Sequence, residues 1–168
     1  MGRSIATRGL TLVYGGARVG LMGKVADAAL AAGGRVIGVI PKSLVQKEIV
    51  HEGLSELFLT ESMAERKERM MTLSDAFVAL PGGYGTYDEL FETLTLAQLG
   101  FHDKPNGLLD SNGFFRPLVA LLEHTVREGF AAPSHAGLVI AEEDPERLLD
   151  RMASWTPPPL GDKWVDRR

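Results

Sequence analysis

A chain of 168 residues, 45% hydrophobic and 24% charged, has the length and balance of one globular domain with a real core. Its net charge of −4 argues against a protein that grips a nucleic-acid backbone, and no apolar run is long enough to span a membrane. The absence of cysteine removes disulfides, thiolate nucleophiles and cysteine zinc sites together, and without an apolar signal-like start the expected location is cytoplasmic.

Short β-like runs alternate with helical stretches along the chain. Leu10-Thr11-Leu12-Val13-Tyr14 reads as a buried strand ending at Gly15-Gly16, and residues 19–32 as a helix stopped by Gly33-Gly34. A second strand, 36–40, ends at Pro41, and a short third covers 57–59. Ser62-Met63-Ala64-Glu65 has the form of a capping box that opens a helix to about Ser74. A strand over 76–80 runs into Pro81-Gly82-Gly83-Tyr84-Gly85, followed by a helix over 86–99. A weak strand at 107–109, a helix over 115–129 and a strand over 138–141 complete the alternation. Asp144-Pro145 supplies an N-cap and first helical residue for a last helix, and the tail from Trp155, with Pro157-Pro158-Pro159, is irregular. Near-continuous apolar strands alternating with helices predict an α/β fold whose parallel sheet is covered on both faces.

In such sheets ligands bind beyond the carboxyl ends of strands. Two turns of that kind are glycine-rich: Gly15-Gly16 with Gly20 and Gly23, and Gly82-Gly83-Tyr84-Gly85. Glycine there lets backbone N–H groups approach a phosphate, although it also simply makes turns. Neither turn has the dinucleotide spacing G-x-G-x-x-G, and Gly23-Lys24 is followed by Val25 rather than the Ser or Thr of a P-loop. Thr86-Tyr87-Asp88-Glu89 fits a second capping box, and pattern alone favours that capping role for Glu89 over a catalytic one. Arg66, Lys67 and Arg69 crowd the start of a helix, where cations are disfavoured, so they call for anionic partners: Glu65, Glu68 or a ligand phosphate. His51, His102, His124 and His135 show no metal-ligand spacing and read mostly as surface residues. Met63, Met70 and Met71 read as core packing, with Met63 close to the candidate site.

Four segments taken together resemble the Lonely Guy family of cytokinin riboside 5′-monophosphate phosphoribohydrolases, a family often mislabelled lysine decarboxylase. They are Tyr14-Gly15-Gly16 with Gly20-Leu21-Met22-Gly23, then Glu65-Arg66-Lys67, then Leu80 to Glu89 carrying Pro-Gly-Gly-x-Gly-Thr-x-x-Glu. The last is Thr95-Leu96-Ala97-Gln98-Leu99-Gly100 with His102-Asp103-Lys104-Pro105. The resemblance runs from about residue 5 to residue 152. It implies a Rossmann-like three-layer sandwich with a central parallel sheet. The family's catalytic pair falls on Arg66 and Glu89, and its nucleotide contacts on Glu48, Met63, Lys67, Gly82, Gly83, Gly85, Thr86 and Thr95. It further implies a homodimer or higher homo-oligomer with active sites near the subunit interface, and chemistry that requires neither metal nor redox cofactor.

The family opens on a strand ending in a Gly-Ser-Ser turn. This sequence opens on Met1-Gly2-Arg3-Ser4, which resembles the end of the helix after that strand, so the sheet is expected to lack its usual first strand. The implied reaction is hydrolysis of the N-glycosidic bond of an adenine-type nucleoside 5′-monophosphate to free base and ribose 5-phosphate. The rival readings are a non-catalytic nucleotide or molybdenum-cofactor carrier of the same fold and a pyridoxal-phosphate decarboxylase. The latter requires a Schiff-base lysine, and no setting for one surrounds Lys24, Lys42 or Lys104.

Overall fold

The computed structural model describes residues 1–45 and 50–159. It divides into two compact units, Met1–Ser74 and Asp75–Arg168. The first unit runs α1 (Gly2–Thr7), β1 (Leu12–Tyr14), α2 (Gly20–Ala31), β2 (Val36–Pro41), β3 (Glu56–Thr60) and α3 (Met63–Leu73). The second runs β4 (Phe77–Ala79), α4 (Tyr84–Gln98), β5 (Asn106–Leu109), α5 (Arg116–Arg127), β6 (Val139–Glu142) and α6 (Pro145–Ala153). The α/β class and the strand–helix alternation are as the sequence predicts, and the opening residues are helical.

Every strand pairing is parallel. The order is β1-β2-β3 in the first unit and β4-β5-β6 in the second. The central sheet of the expectation is thus seen as two three-stranded sheets, because β1 and β4 form ladders on one side only among the described residues. The central strands behave as doubly covered strands should: β2 and β5 are buried at every position. In the first unit Tyr14, Ala26, Ala29 and Val36 form the core, with Leu12, Leu30 and Leu54 packed against it. In the second the core is Leu90, Leu94, Ala97, Leu108, Phe115, Leu118 and Leu138.

Local signals decide where most elements start and stop. Asp144 accepts a hydrogen bond from the Arg147 N–H at 2.9 Å and Pro145 takes the first helical position, as expected for α6. The irregular tail is anchored at its root, where the Trp155 indole N–H donates to the Gly137 carbonyl at 2.9 Å and the ring packs on the second core. Two of the four histidines depart from the surface reading, while His124 is exposed as expected. His51 is buried: its Nδ1 accepts from the Gly53 N–H at 3.1 Å, which leaves Nε2–H to donate to Asp27 at 3.0 Å. His102 is partly buried, and burial lowers its pKa below the ordinary value. The methionines also depart. Met63 is 44% exposed and Met70 and Met71 are only half-buried, because the inward position of α3 belongs to Arg66.

Tyr14 carries a buried hydroxyl with no hydrogen-bond partner. Burial, and then the nearby negative charge of Asp27, push its pKa from 10 up to about 12. The folded state therefore holds this proton more tightly than the unfolded chain does. The stability gained is complete below pH 10 and is lost as the pH rises towards 12. An ultraviolet titration should show one of the three tyrosines ionising last, near pH 12 or together with unfolding. Tyr14→Phe should remove that late phase with little loss of stability, since it deletes an unsatisfied hydroxyl. A late phase that survives the substitution would contradict this assignment.

Candidate active site

The first group of candidate residues is built by the β3-to-α3 turn. Ser62 is the N-cap, its hydroxyl accepting the Glu65 N–H at 3.1 Å. The Glu65 carboxylate reaches back to the Glu61 N–H at 2.7 Å, one residue before the cap, so the predicted capping box closes in a shifted form. With the first turn fixed, Arg66 is aimed inward and its guanidinium lies against Gly15, the residue that follows β1. Arg66 is 7% exposed and is the one buried residue of α3. Its Nη1 lies 3.8 Å from the Met63 sulfur, and its Nε is buried with no hydrogen-bond partner. A buried cation with an unsatisfied donor near a helix N-terminus is unfavourable on three counts: desolvation, the lost hydrogen bond and the helix dipole. An anion placed there would relieve all three.

The neighbouring cations are arranged differently. Lys67 is half-buried, while Arg69 stacks its guanidinium over the Phe58 ring at 4.4 Å. Lys42 pairs with Glu61 at the surface. Arg66 is thus the buried cation of the group, and neither Glu65 nor Glu68 forms an ion pair with it among the described residues.

The second group is built by the β4-to-α4 turn. The helix begins two residues before the predicted start, at Tyr84, with Gly83 as an extended N-cap and no capping side chain. Thr86 is therefore inside the helix, Glu89 falls in the second turn, and the capping-box reading of this pair is incorrect. The reason lies in Gly82 and Gly83, which let the chain turn into the helix without a side-chain cap. The N–H groups of Thr86 and Tyr87 fold back to the Gly83 carbonyl at 3.1 and 3.3 Å, leaving those of Tyr84 and Gly85 as the orphan donors of the helix start. A Cβ on Gly83 or Gly85 would meet nothing within 4 Å, so there is open space beside this turn. Thr86 folds its hydroxyl over Gly82 instead.

Glu89 is half-buried and lies one helical turn beyond Thr86, on the same side of α4. Thr95 does not share that side. At about 100° per residue it sits roughly 180° around the helix from Thr86. It is exposed together with Tyr84, Phe91 and Leu99, and its hydroxyl donates to the Phe91 carbonyl at 2.6 Å. The structure therefore gathers Met63, Arg66 and Gly15 at one turn and Gly82, Gly83, Gly85, Thr86 and Glu89 at the other. Glu48 lies outside the described residues. Sequence reasoning missed the contact of Arg66 with Gly15, whose signal was confined to a glycine at a strand end. No cluster of three His, Asp or Glu side chains suited to a metal occurs among the described residues.

The family model described as possible lysine decarboxylase matches residues 22–152. A Rhodococcoides fascians protein named cytokinin riboside 5′-monophosphate phosphoribohydrolase is 52% identical over 92% of this chain and 78% of its own length. The chain belongs to that phosphoribohydrolase family. The rice (Oryza sativa subsp. japonica) member named probable cytokinin riboside 5′-monophosphate phosphoribohydrolase LOGL2 is 44% identical over 94% of this chain, which spans 64% of it. The Arabidopsis thaliana member LOG1 is 41% identical over 94% of this chain and 74% of its own length. Among solved structures, the molybdenum cofactor binding protein from the phototrophic bacterium Rippkaea orientalis superposes with a TM-score of 0.68. It is 25% identical and covers 91% of this chain and 82% of its own. The molybdenum cofactor carrier protein of Chlamydomonas reinhardtii, at 23% identity and a TM-score of 0.65, shares the fold. Relatives that carry the phosphoribohydrolase name are thus markedly closer in sequence than the carriers.

The strain around Arg66 can be read by thermal denaturation. Arg66→Met keeps the apolar stem of the side chain and removes the buried charge, so the ligand-free variant should melt near or above the wild-type temperature. Inorganic phosphate or AMP should raise the wild-type melting temperature by more than that of Arg66→Met. A ligand-free variant that melts several degrees lower would mean that the guanidinium is a structural group already satisfied in the fold.

Proposed function

We propose that this chain hydrolyses the N-glycosidic bond of an adenine-type nucleoside 5′-monophosphate, AMP or an N6-substituted cytokinin nucleotide, releasing free base and ribose 5-phosphate. The single observation that carries the proposal is the 52% identity to a phosphoribohydrolase over 92% of the chain. The two strand-end turns give it a chemical basis. The open N–H groups at the start of α4, with Gly82, Gly83, Gly85 and Thr86, hold the 5′-phosphate at the positive end of the helix dipole. This makes the monophosphate a better substrate than the nucleoside. Met63, Lys67 and Glu48 complete the nucleotide contacts.

Cleavage of the ribosyl C–N bond passes through an oxocarbenium-like state. The Glu89 carboxylate faces the positive charge that develops at the anomeric carbon and takes a proton from the attacking water. The water oxygen bonds to the anomeric carbon as the C–N bond breaks, and the base takes a proton from solvent as it departs, while Glu89 returns to solvent the one it accepted from the water. A guanidinium is a poor proton donor, so Arg66 acts as a fixed cation that anchors the phosphate or polarises the ribose and base. Thr95, on the other side of α4, contacts nucleotide only if the exposed face carrying Tyr84, Phe91 and Leu99 meets a second subunit. A homo-oligomer with interfacial sites follows from that arrangement.

Two other readings have specific support. The solved carriers favour nucleotide or molybdenum-cofactor binding without turnover. The description of the family model suggests a decarboxylase. A Schiff-base lysine requires a lowered pKa, whereas the hydrogen bond that Lys42 donates to Glu61 raises that of Lys42, and Lys24 is exposed. A pyridoxal absorbance band in purified protein would revive the decarboxylase.

The deciding experiment is chromatographic detection of free base after incubation with AMP and, separately, with isopentenyladenosine monophosphate. Base should be released from both, and the ratio of rates identifies the preferred base. Arg66→Ala and Glu89→Gln should each lower turnover by at least about 100-fold, while Glu89→Gln still binds nucleotide. Nucleotide binding with no base release by the wild type would favour the carrier.

A further inference from the structure

We infer that Gly15 is a positioning residue for Arg66, its missing side chain forming the slot in which the guanidinium lies. This rests on the role proposed above for Arg66. A Cβ built on Gly15 would overlap Nη2 of Arg66 and stand 3.1 Å from Cζ and 3.6 Å from Nε, with no other atom among its three nearest neighbours. The Nη2 end of the guanidinium therefore occupies the space that a side chain on Gly15 would fill, with Met63 on its Nη1 side. That seat fixes where the buried charge and the unsatisfied Nε are presented.

What yields when the slot is filled follows from how each side is held. The turn after β1 is pinned: the His51 N–H donates to the Gly16 carbonyl at 3.0 Å, and Ala17 bridges Val50. His51 is itself locked by Asp27 and Gly53. Arg66, by contrast, meets the slot with the far end of a long flexible side chain. An alanine at 15 should therefore displace the guanidinium and leave the backbone in place. Gly15 is also outside the left-handed region, so the substitution strains no torsion there. Gly16 offers the opposite case. Its φ of +76° is left-handed, while a Cβ there would make ordinary contacts of 3.5 Å with Ile40 and Leu57. Of two adjacent glycines, one serves the turn and the other serves the arginine.

The test compares Gly15→Ala, Arg66→Ala and the double variant in the full chain, with AMP as substrate. Each is followed by melting temperature, by kcat and KM for base release, and by the melting shift that inorganic phosphate induces. Gly15→Ala should melt within a few degrees of wild type and lose about 100-fold in kcat/KM, the scale expected when a catalytic group is misplaced by an ångström. Its phosphate-induced shift should also be smaller than that of the wild type, and equal to that of Arg66→Ala. The double variant should be no worse than Arg66→Ala alone, because both changes remove the same placed charge. Full activity in Gly15→Ala with Arg66→Ala inactive overturns the slot. So does a double variant whose losses multiply. A Gly15→Ala chain that fails to fold even with Arg66→Ala beside it overturns it too, since the clash would then be with something other than the arginine. Full activity in Arg66→Ala would instead bring down the underlying role of Arg66, and the two failures are distinguishable.

Discussion

Parallel pairing governs what this molecule can do. A parallel strand cannot return directly to its neighbour, so each must pass its chain to a crossover that is usually a helix. Apart from the one after β2, the turns leaving a carboxyl end in these two sheets are therefore also the approach to a helix start, with orphan N–H groups and a positive dipole nearby. β1 leads to α2 through Gly15 and Gly16, β3 to α3 through Ser62, and β4 to α4 through Gly82 and Gly83. The chemistry gathers at these turns because the topology puts polar backbone there, beside cores that have none to spare. The central strands β2 and β5, buried along their whole length, hold the turns in register but contribute no reactive group.

Against that frame of ordinary packing, α3 inverts the usual rule. Its one buried residue is an arginine, and the methionine one turn before it is 44% exposed. A helix optimised for stability would exchange the two. Local choices that contradict burial preference tend to mark sites where function overrides stability. The second turn shows a milder form of the same conflict. Gly85, inside the first turn of α4, weakens the helix by up to about 1 kcal/mol relative to better helix formers, and the exposed Tyr84 before it gains no packing. What both places gain is reach: a fixed cation at one turn and open backbone donors at the other.

The fold was legible in the sequence where the periodicity was strong and the stops were chemical. Pro41 after β2, the Ser62 cap of α3 and the Asp144-Pro145 start of α6 all act as their residue types demand. The misreadings share a cause. Thr86 was read as a cap because Thr-x-x-Glu is a common capping pattern, and the two glycines before it started the helix early without needing one. His51 and the α3 methionines were assigned by residue type, whereas their burial depends on what long-range folding brings against them. Arg66 and Glu89 were legible only through family resemblance. Nothing local to Glu65-Arg66-Lys67 says that one of three cations turns inward, because the partner that admits it, Gly15, is 51 residues away and signals by lacking a side chain.

The difference between a carrier and a hydrolase on one fold comes down to which charge the site answers. A carrier gains from any interaction that holds the ligand, so a buried cation and open helix donors suffice. A hydrolase gains rate only from interactions that strengthen in the transition state. For a ribosyl C–N bond the new feature of that state is positive charge on the sugar, which a cationic anion-binding site does nothing to stabilise. A carboxylate is required, and it must not be committed to capping its own helix. The early start of α4 meets that condition, because with Gly83 as the N-cap the Thr86–Glu89 box cannot form and Glu89 moves out of the first turn. The two glycines that open the proposed phosphate site thus also shift the helix start away from the Thr86–Glu89 capping box.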